Sequence, residues 1–123
     1  MLRRGSIVVV LAILVVTLVS PASPADTFKI KAAGTPGTFH WEPAARTVAK
    51  GDRIAWKNPT SVGHTVTAYT NNSKSWSIDA DLAPGGTVKK VFKRRGIYLF
   101  RCRIHSTLTD GNCQGMCGEI HVH

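Results

Sequence analysis

Short segments of alternating apolar and polar residues, separated by turn-forming residues, run through the chain from residue 27 onward. The clearest are residues 27–31, 53–57, 64–68 and 97–103, and glycine or proline marks the turns between them. A period of two is what a half-buried strand requires, because successive side chains point to opposite faces. No segment beyond residue 26 has a convincing helical period. The chain therefore predicts an all-β fold, an antiparallel β-sandwich or a small barrel.

The first 25 residues predict a secretory signal peptide. Arg3 and Arg4 precede an apolar stretch, residues 7–19, and small residues lead to a cleavage site after Ala25. As a helix the stretch would be about 20 Å long, against roughly 30 Å of bilayer hydrocarbon. An uncleaved membrane anchor is the alternative, which the polar, proline-rich residues 20–25 disfavour. We expect an exported protein, in the periplasm, outside the cell or on the outer face of the cytoplasmic membrane.

The remaining segment, residues 26–123, has the length of one domain, and we expect it to be monomeric. The whole chain has a formal net charge of +9. Such a charge favours association with acidic proteins or anionic surfaces. Nucleic acid is not an expected partner, because the basic residues are not interleaved with aromatic residues that could stack on bases. Contact with a membrane is expected only through an uncleaved signal or a membrane-bound partner.

Four potential metal ligands come from two parts of the chain. Cys102 and His105 end an apolar alternating run, Met116 follows in a glycine-flanked segment, and His64 begins an upstream strand. One thiolate and two imidazoles with a weak, soft thioether form a ligand set that selects copper and suits both of its oxidation states. His40, His121 and His123 are interpreted as surface histidines.

The same segments resemble the plastocyanin-like cupredoxins, the type 1 blue copper proteins. Residues 51–58 match the strand pattern Gly-Asp-x-hydrophobic-x-Trp-x-Asn that precedes the first histidine ligand, and residues 96–105 and 115–122 match the second half. The resemblance implies a Greek-key β-sandwich and a single type 1 copper ion. It also implies one-electron transfer between redox partner proteins outside the cytoplasm, and the positive charge of the chain predicts an acidic docking surface on the partner. The implied ligands are His64, Cys102, His105 and Met116.

The segment between the last two of these ligands is longer than the resemblance leads one to expect. Met116 follows His105 by eleven residues, so we expect a long ligand loop over residues 106–114. Cys113 lies in it and Cys117 follows Met116. In an exported protein such a pair is expected to form a disulfide, here one that holds the loop around Met116.

Two other functions remain open from the sequence. Cys102, His105, Cys113 and Cys117 also have the spacing of a structural zinc site, although that interpretation leaves His64 without a role. A copper-delivery protein could use the same ligands without redox turnover, although the chain contains only two methionines. A copper enzyme is not expected, because a second copper site would need more histidines than the chain can spare.

Overall fold

Nine strands make up the regular structure of the part of the chain that the computed structural model describes, residues 5–18 and 25–123. All four segments predicted as strands from their alternation are strands here. The strands are β1 Thr27–Ala33, β2 His40–Glu42, β3 Ala45–Val48, β4 Arg53–Lys57, β5 His64–Tyr69, β6 Asp79–Leu82, β7 Thr87–Val91, β8 Gly96–Thr109 and β9 Asn112–Val122.

The strands form two sheets, which confirms the predicted β-sandwich. One sheet has the order β2-β1-β4-β7 and the other the order β3-β9-β8-β5-β6. Both sheets are mixed rather than purely antiparallel, because β1 pairs with β4, and β3 with β9, in parallel. The chain passes through β3 in the second sheet before it returns to the first sheet as β4. Such a crossing allows β4 to run in the same direction as β1, as parallel neighbours require.

The core between the sheets is rich in aromatic side chains. Phe100 on β8 lies between Trp41 and Trp56, with ring centroids 5.5 and 5.4 Å apart in edge-to-face geometry. All three residues are at most 1% exposed. Opposite Phe100 in the register is Gly118, and the ring occupies the space that a Cβ atom would take there. These contacts tie β9, which contains Met116, to the packing between the sheets.

Residues 106–114 do not form the long loop that the sequence predicts. They extend β8 and β9 as a hairpin, with Ser106 opposite Gly115 and Thr109 opposite Asn112. A two-residue turn closes the hairpin, and its residues Asp110 and Gly111 have φ angles of 51° and 77°. Asp-Gly is a favoured pair for such a turn, which requires positive φ at both positions.

The predicted signal peptide lies mostly outside the domain. Residues 5–18 have no regular secondary structure, and their apolar side chains are exposed. Residues 1–4 and 19–24, which include the basic start and most of the predicted cleavage region, lie outside the described residues. Within residues 5–18 and 25–123, no helix is long and apolar enough to cross a membrane.

Candidate metal centre

A large bulge in the pairing of β8 with β9 creates the candidate site. Arg101 pairs with Cys117 and Ser106 pairs with Gly115, so residues 102–105 on β8 lie opposite the single residue Met116 on β9. A bulge of this kind bends its strand and redirects the side chains within it. It is therefore the bulge that gathers Cys102, His105 and Met116 at one end of the sandwich.

The neighbouring strand β5 supplies His64. The two histidine Nδ1 atoms lie 3.1 Å apart, and the Cys102 Sγ atom is 3.8 Å from Nδ1 of His64 and 3.5 Å from Nδ1 of His105. The backbone N–H of Thr65 also points at the Cys102 sulfur, at 3.4 Å. The sequence-predicted cluster of one thiol and two imidazoles is thus brought together from strands far apart in the chain.

The burial and the chemistry of these donors fit a copper ion. Cys102 and Met116 are completely buried and His64 is 2% exposed, whereas His105 is only half-buried. Burial, together with the nearby His105, lowers the pKa of His64, so its imidazole is neutral and keeps a lone pair at neutral pH. A sulfur and two imidazole nitrogens, with a thioether beside them, are the soft and borderline donors that copper prefers.

A hydrogen-bond network fixes the ring of His64 from its other side. The Thr60 Oγ1 atom lies 2.9 Å from the His64 Nε2 atom, and the Thr60 hydroxyl donates to Asn58 Oδ1 at 2.6 Å. The buried Asn58 amide in turn donates to the carbonyls of Val62 and Leu82. Because the hydroxyl proton goes to Asn58, its oxygen accepts the Nε2 proton and leaves Nδ1 of His64 free as a ligand.

We predict that Thr60→Val weakens copper binding about tenfold or more, the usual cost of removing such a supporting partner of a metal ligand. Valine has a similar shape but cannot accept the Nε2 proton of His64. Thr60→Ser, which keeps the hydroxyl, is the matched control. Competition with a copper chelator measures the affinity of each variant. Equal affinities in the valine and serine variants would show that the hydroxyl does not position His64.

Phe39, in the connection between β1 and β2, covers both imidazoles. Its ring centroid is 4.8 Å from that of His64 and 4.6 Å from that of His105. Phe39 is 8% exposed and limits the access of water to the two rings. Neither Phe39 nor Thr60 is identified by the sequence analysis. Both act through contacts that no local pattern records, although Thr60 lies four residues before His64.

Cys113 and Cys117 form the expected disulfide, with their Cα atoms 6.1 Å apart. Four residues of extended strand would separate the Cα atoms by about 13 Å, so the bridge spans a kink in β9. Gly115 lies in this kink with φ of 98°, and a Cβ atom there would be 2.5 Å from the His105 carbonyl oxygen. Trp41 Nε1 donates to the carbonyl of Met116 at 3.2 Å. Met116 is therefore held in place in two ways: by the disulfide-bridged segment that contains it and by the hydrogen bond from Trp41 in the core.

The disulfide contradicts the zinc alternative. That site requires the thiolates of both Cys113 and Cys117, which are instead bonded to each other. Two of the other histidines make contacts elsewhere: His40 contacts the Thr38 carbonyl, and His121 contacts Glu119. Within residues 5–18 and 25–123, the cluster of potential metal ligands consists of His64, Cys102 and His105.

A cupredoxin-type β-sandwich with a His-Cys-His cluster at one end is the class that the fold and the site define. Comparison with known proteins agrees: the model of the family "Copper binding proteins, plastocyanin/azurin family" matches residues 28–123. The chain belongs to this family, and copper is its cofactor.

Relatives and solved structures show how far the similarity extends. The chain is 33% identical to a plastocyanin of Nostoc punctiforme over 98 residues, which cover 77% of this chain and 69% of that protein. It is 30% identical to a plastocyanin of Rumex obtusifolius over 76% of this chain and 98% of that one. The fold is also similar to that of a purple cupredoxin from Nitrosopumilus maritimus, with a TM-score of 0.62 and 21% identity over 77% of this chain and 98% of that one.

Proposed function

We propose that this protein is an exported type 1 copper protein that carries single electrons between redox partners. The observation that carries the proposal is the convergence of a buried thiol with two imidazole Nδ1 atoms, all within 3.8 Å of one another, on strands of a closely packed sandwich. Rigid support of the donors keeps their positions similar in both oxidation states, which favours rapid electron exchange.

In this proposal His64, Cys102 and His105 would be the three strong ligands of the copper ion, and the Met116 thioether would be a weaker ligand. Copper held there supplies a one-electron Cu(I)/Cu(II) couple. The network from Asn58 through Thr60 holds the ring of His64, while Phe39 packs against both imidazoles and limits the access of water to them.

His105 gives the site its contact with the surface. It is the half-exposed member of the cluster, and it lines a recess of about 170 Å³ together with Gly37, Phe39 and Gly115. A redox partner that docks over this recess comes close to the imidazole of His105. We propose a partner with an acidic docking surface, because the chain has a formal net charge of +9.

The proposal also includes the targeting of the chain. Residues 1–25 act as a secretory signal, and residues 26–123 form the copper domain, which works as a monomer outside the cytoplasm. The polar and proline-rich composition of residues 20–25 supports cleavage after Ala25.

Redox cycling of the copper-loaded protein tests the function. We expect intense visible absorption from the thiolate-copper bond, bleaching after one electron per copper from ascorbate, and full recovery with ferricyanide over several cycles. A delivery protein should instead release its copper to a competing chelator within each reduction step. Loss of copper during cycling, or a colourless protein that binds Cu(II), would contradict the electron-carrier function.

A further inference from the structure

The outer face of the four-stranded sheet carries a concentrated positive charge. In β1 and β4 the inward positions, among them Ile30, Ile54 and Trp56, are fully buried, so the alternate positions lie on the outer face of the sheet. The registers of β1 with β4 and of β4 with β7 place these outward residues side by side. We call this surface the basic face, and its cations are Lys29, Lys31, Arg53, Lys57 and Lys89.

Little on the molecule neutralises the basic face. Among the described residues its one ion pair joins Lys31 and Glu42, at 3.7 Å. Lys31 also lies directly opposite Lys57 in the register. Like charges placed opposite each other on a sheet are destabilising, so this arrangement costs the isolated domain stability. An anionic partner on this face would offset that cost.

The opposite side of the sandwich has a different charge pattern. The outer surface of the five-stranded sheet carries Asp79, Asp81 and Glu119 beside Arg101 and Arg103, and Arg103 is paired with Asp79 at 2.8 Å. Its charges of both signs are mixed, whereas those of the basic face are almost all positive.

We propose that the basic face docks the domain on a membrane surface of anionic phospholipids. At the centre of the face lies the small side chain of Ala55, between Lys29 and Lys89 in the register. An array of mostly lysine ammonium groups on long, flexible stems suits a fluid layer of phosphate headgroups better than a shaped protein site.

The position of the apolar segment supports this choice of partner. Residues 7–18 are exposed, and they join the domain through β1, a strand of the basic face. Asp26, just before β1, is tied to β4 by the hydrogen bond from Arg53 N to its carbonyl. The apolar segment is thus connected to the domain at the basic face.

Binding to lipid vesicles tests the proposal. The full chain, loaded with copper, is sedimented with vesicles of phosphatidylcholine alone or with added phosphatidylglycerol. We expect binding to the anionic vesicles that decreases at high salt. The variant Lys29→Glu/Lys57→Glu/Lys89→Glu should bind them at least about tenfold more weakly, since each lysine contributes to such binding.

The matched control is Lys74→Glu/Arg94→Glu/Arg95→Glu, which changes the net charge equally at exposed positions in connections outside the strands of the basic face. It should bind within about twofold of the parent chain. Equal losses in both variants would show dependence on net charge alone, and no loss in either would assign binding to residues 7–18. Binding to polyglutamate but not to anionic vesicles would show an acidic protein partner. Each of these outcomes overturns the proposal.

Visible absorption confirms that each variant is folded. If the triple variant does not fold, the milder Lys29→Gln/Lys89→Gln replaces it.

Discussion

Cys102→Ser is expected to abolish the intense visible absorption of the copper-loaded protein while leaving the sandwich folded. The absorption requires a thiolate, and a serine hydroxyl neither ionises at neutral pH nor forms a comparable bond to copper. Serine nearly preserves the shape of this fully buried side chain, and its oxygen can still accept the N–H of Thr65. Visible spectroscopy and circular dichroism measure the two effects separately.

The bridged cysteines provide the control for this substitution. Cys113→Ser/Cys117→Ser also replaces sulfur by oxygen near the site, but the disulfide sulfurs are not available as ligands. The double variant should keep the thiolate absorption. Any change in its spectrum should be small and reflect only the less constrained position of Met116. Colour in Cys102→Ser, or equal loss of colour in the double variant, would contradict the assignment of Cys102 as the copper thiolate.

The strands could be predicted well from sequence because their signal is local. Residues 53–57 alternate between polar and apolar side chains at four of their five positions, and the strand has the predicted bounds. The parallel pairing of β1 with β4 could not be predicted, since it depends on the crossing of the chain through β3 in the other sheet. The hairpin over residues 106–114 was also missed, although Asp110-Gly111 is a turn signal.

The candidate site was predictable to the extent that its residue types are distinctive. Cys102 and His105 are three residues apart, and a free thiol near histidines has few other roles. The bulge that sets four residues opposite Met116 is a property of the β8–β9 register, which spacing alone does not reveal. Phe39 and Thr60 have ordinary side chains, and they gain significance only from their contacts with the imidazoles.

Gly118→Ala is expected to destabilise the fold by about 2–3 kcal/mol, which for a domain of this size lowers the melting temperature by about 10 °C or more. The added methyl group would overlap the ring of Phe100, with the Cε1 and Cε2 atoms 2.8 Å from the new carbon. The ring cannot easily withdraw, because Trp41 and Trp56 pack against it. Thermal unfolding of the copper-free protein measures the effect without a contribution from metal binding.

Gly63→Ala is the matched control, because a Cβ atom at Gly63 meets nothing within 4 Å and the backbone there does not need positive φ. It should change the melting temperature little, or raise it slightly by restricting the unfolded chain. Phe100→Leu tests the cause, since a smaller side chain makes room for the methyl group. In the double variant the two costs should be clearly less than additive, as expected for residues in direct contact. Additive costs would show that the alanine acts on the backbone of β9 rather than through the packing that ties the strand of Met116 to the core.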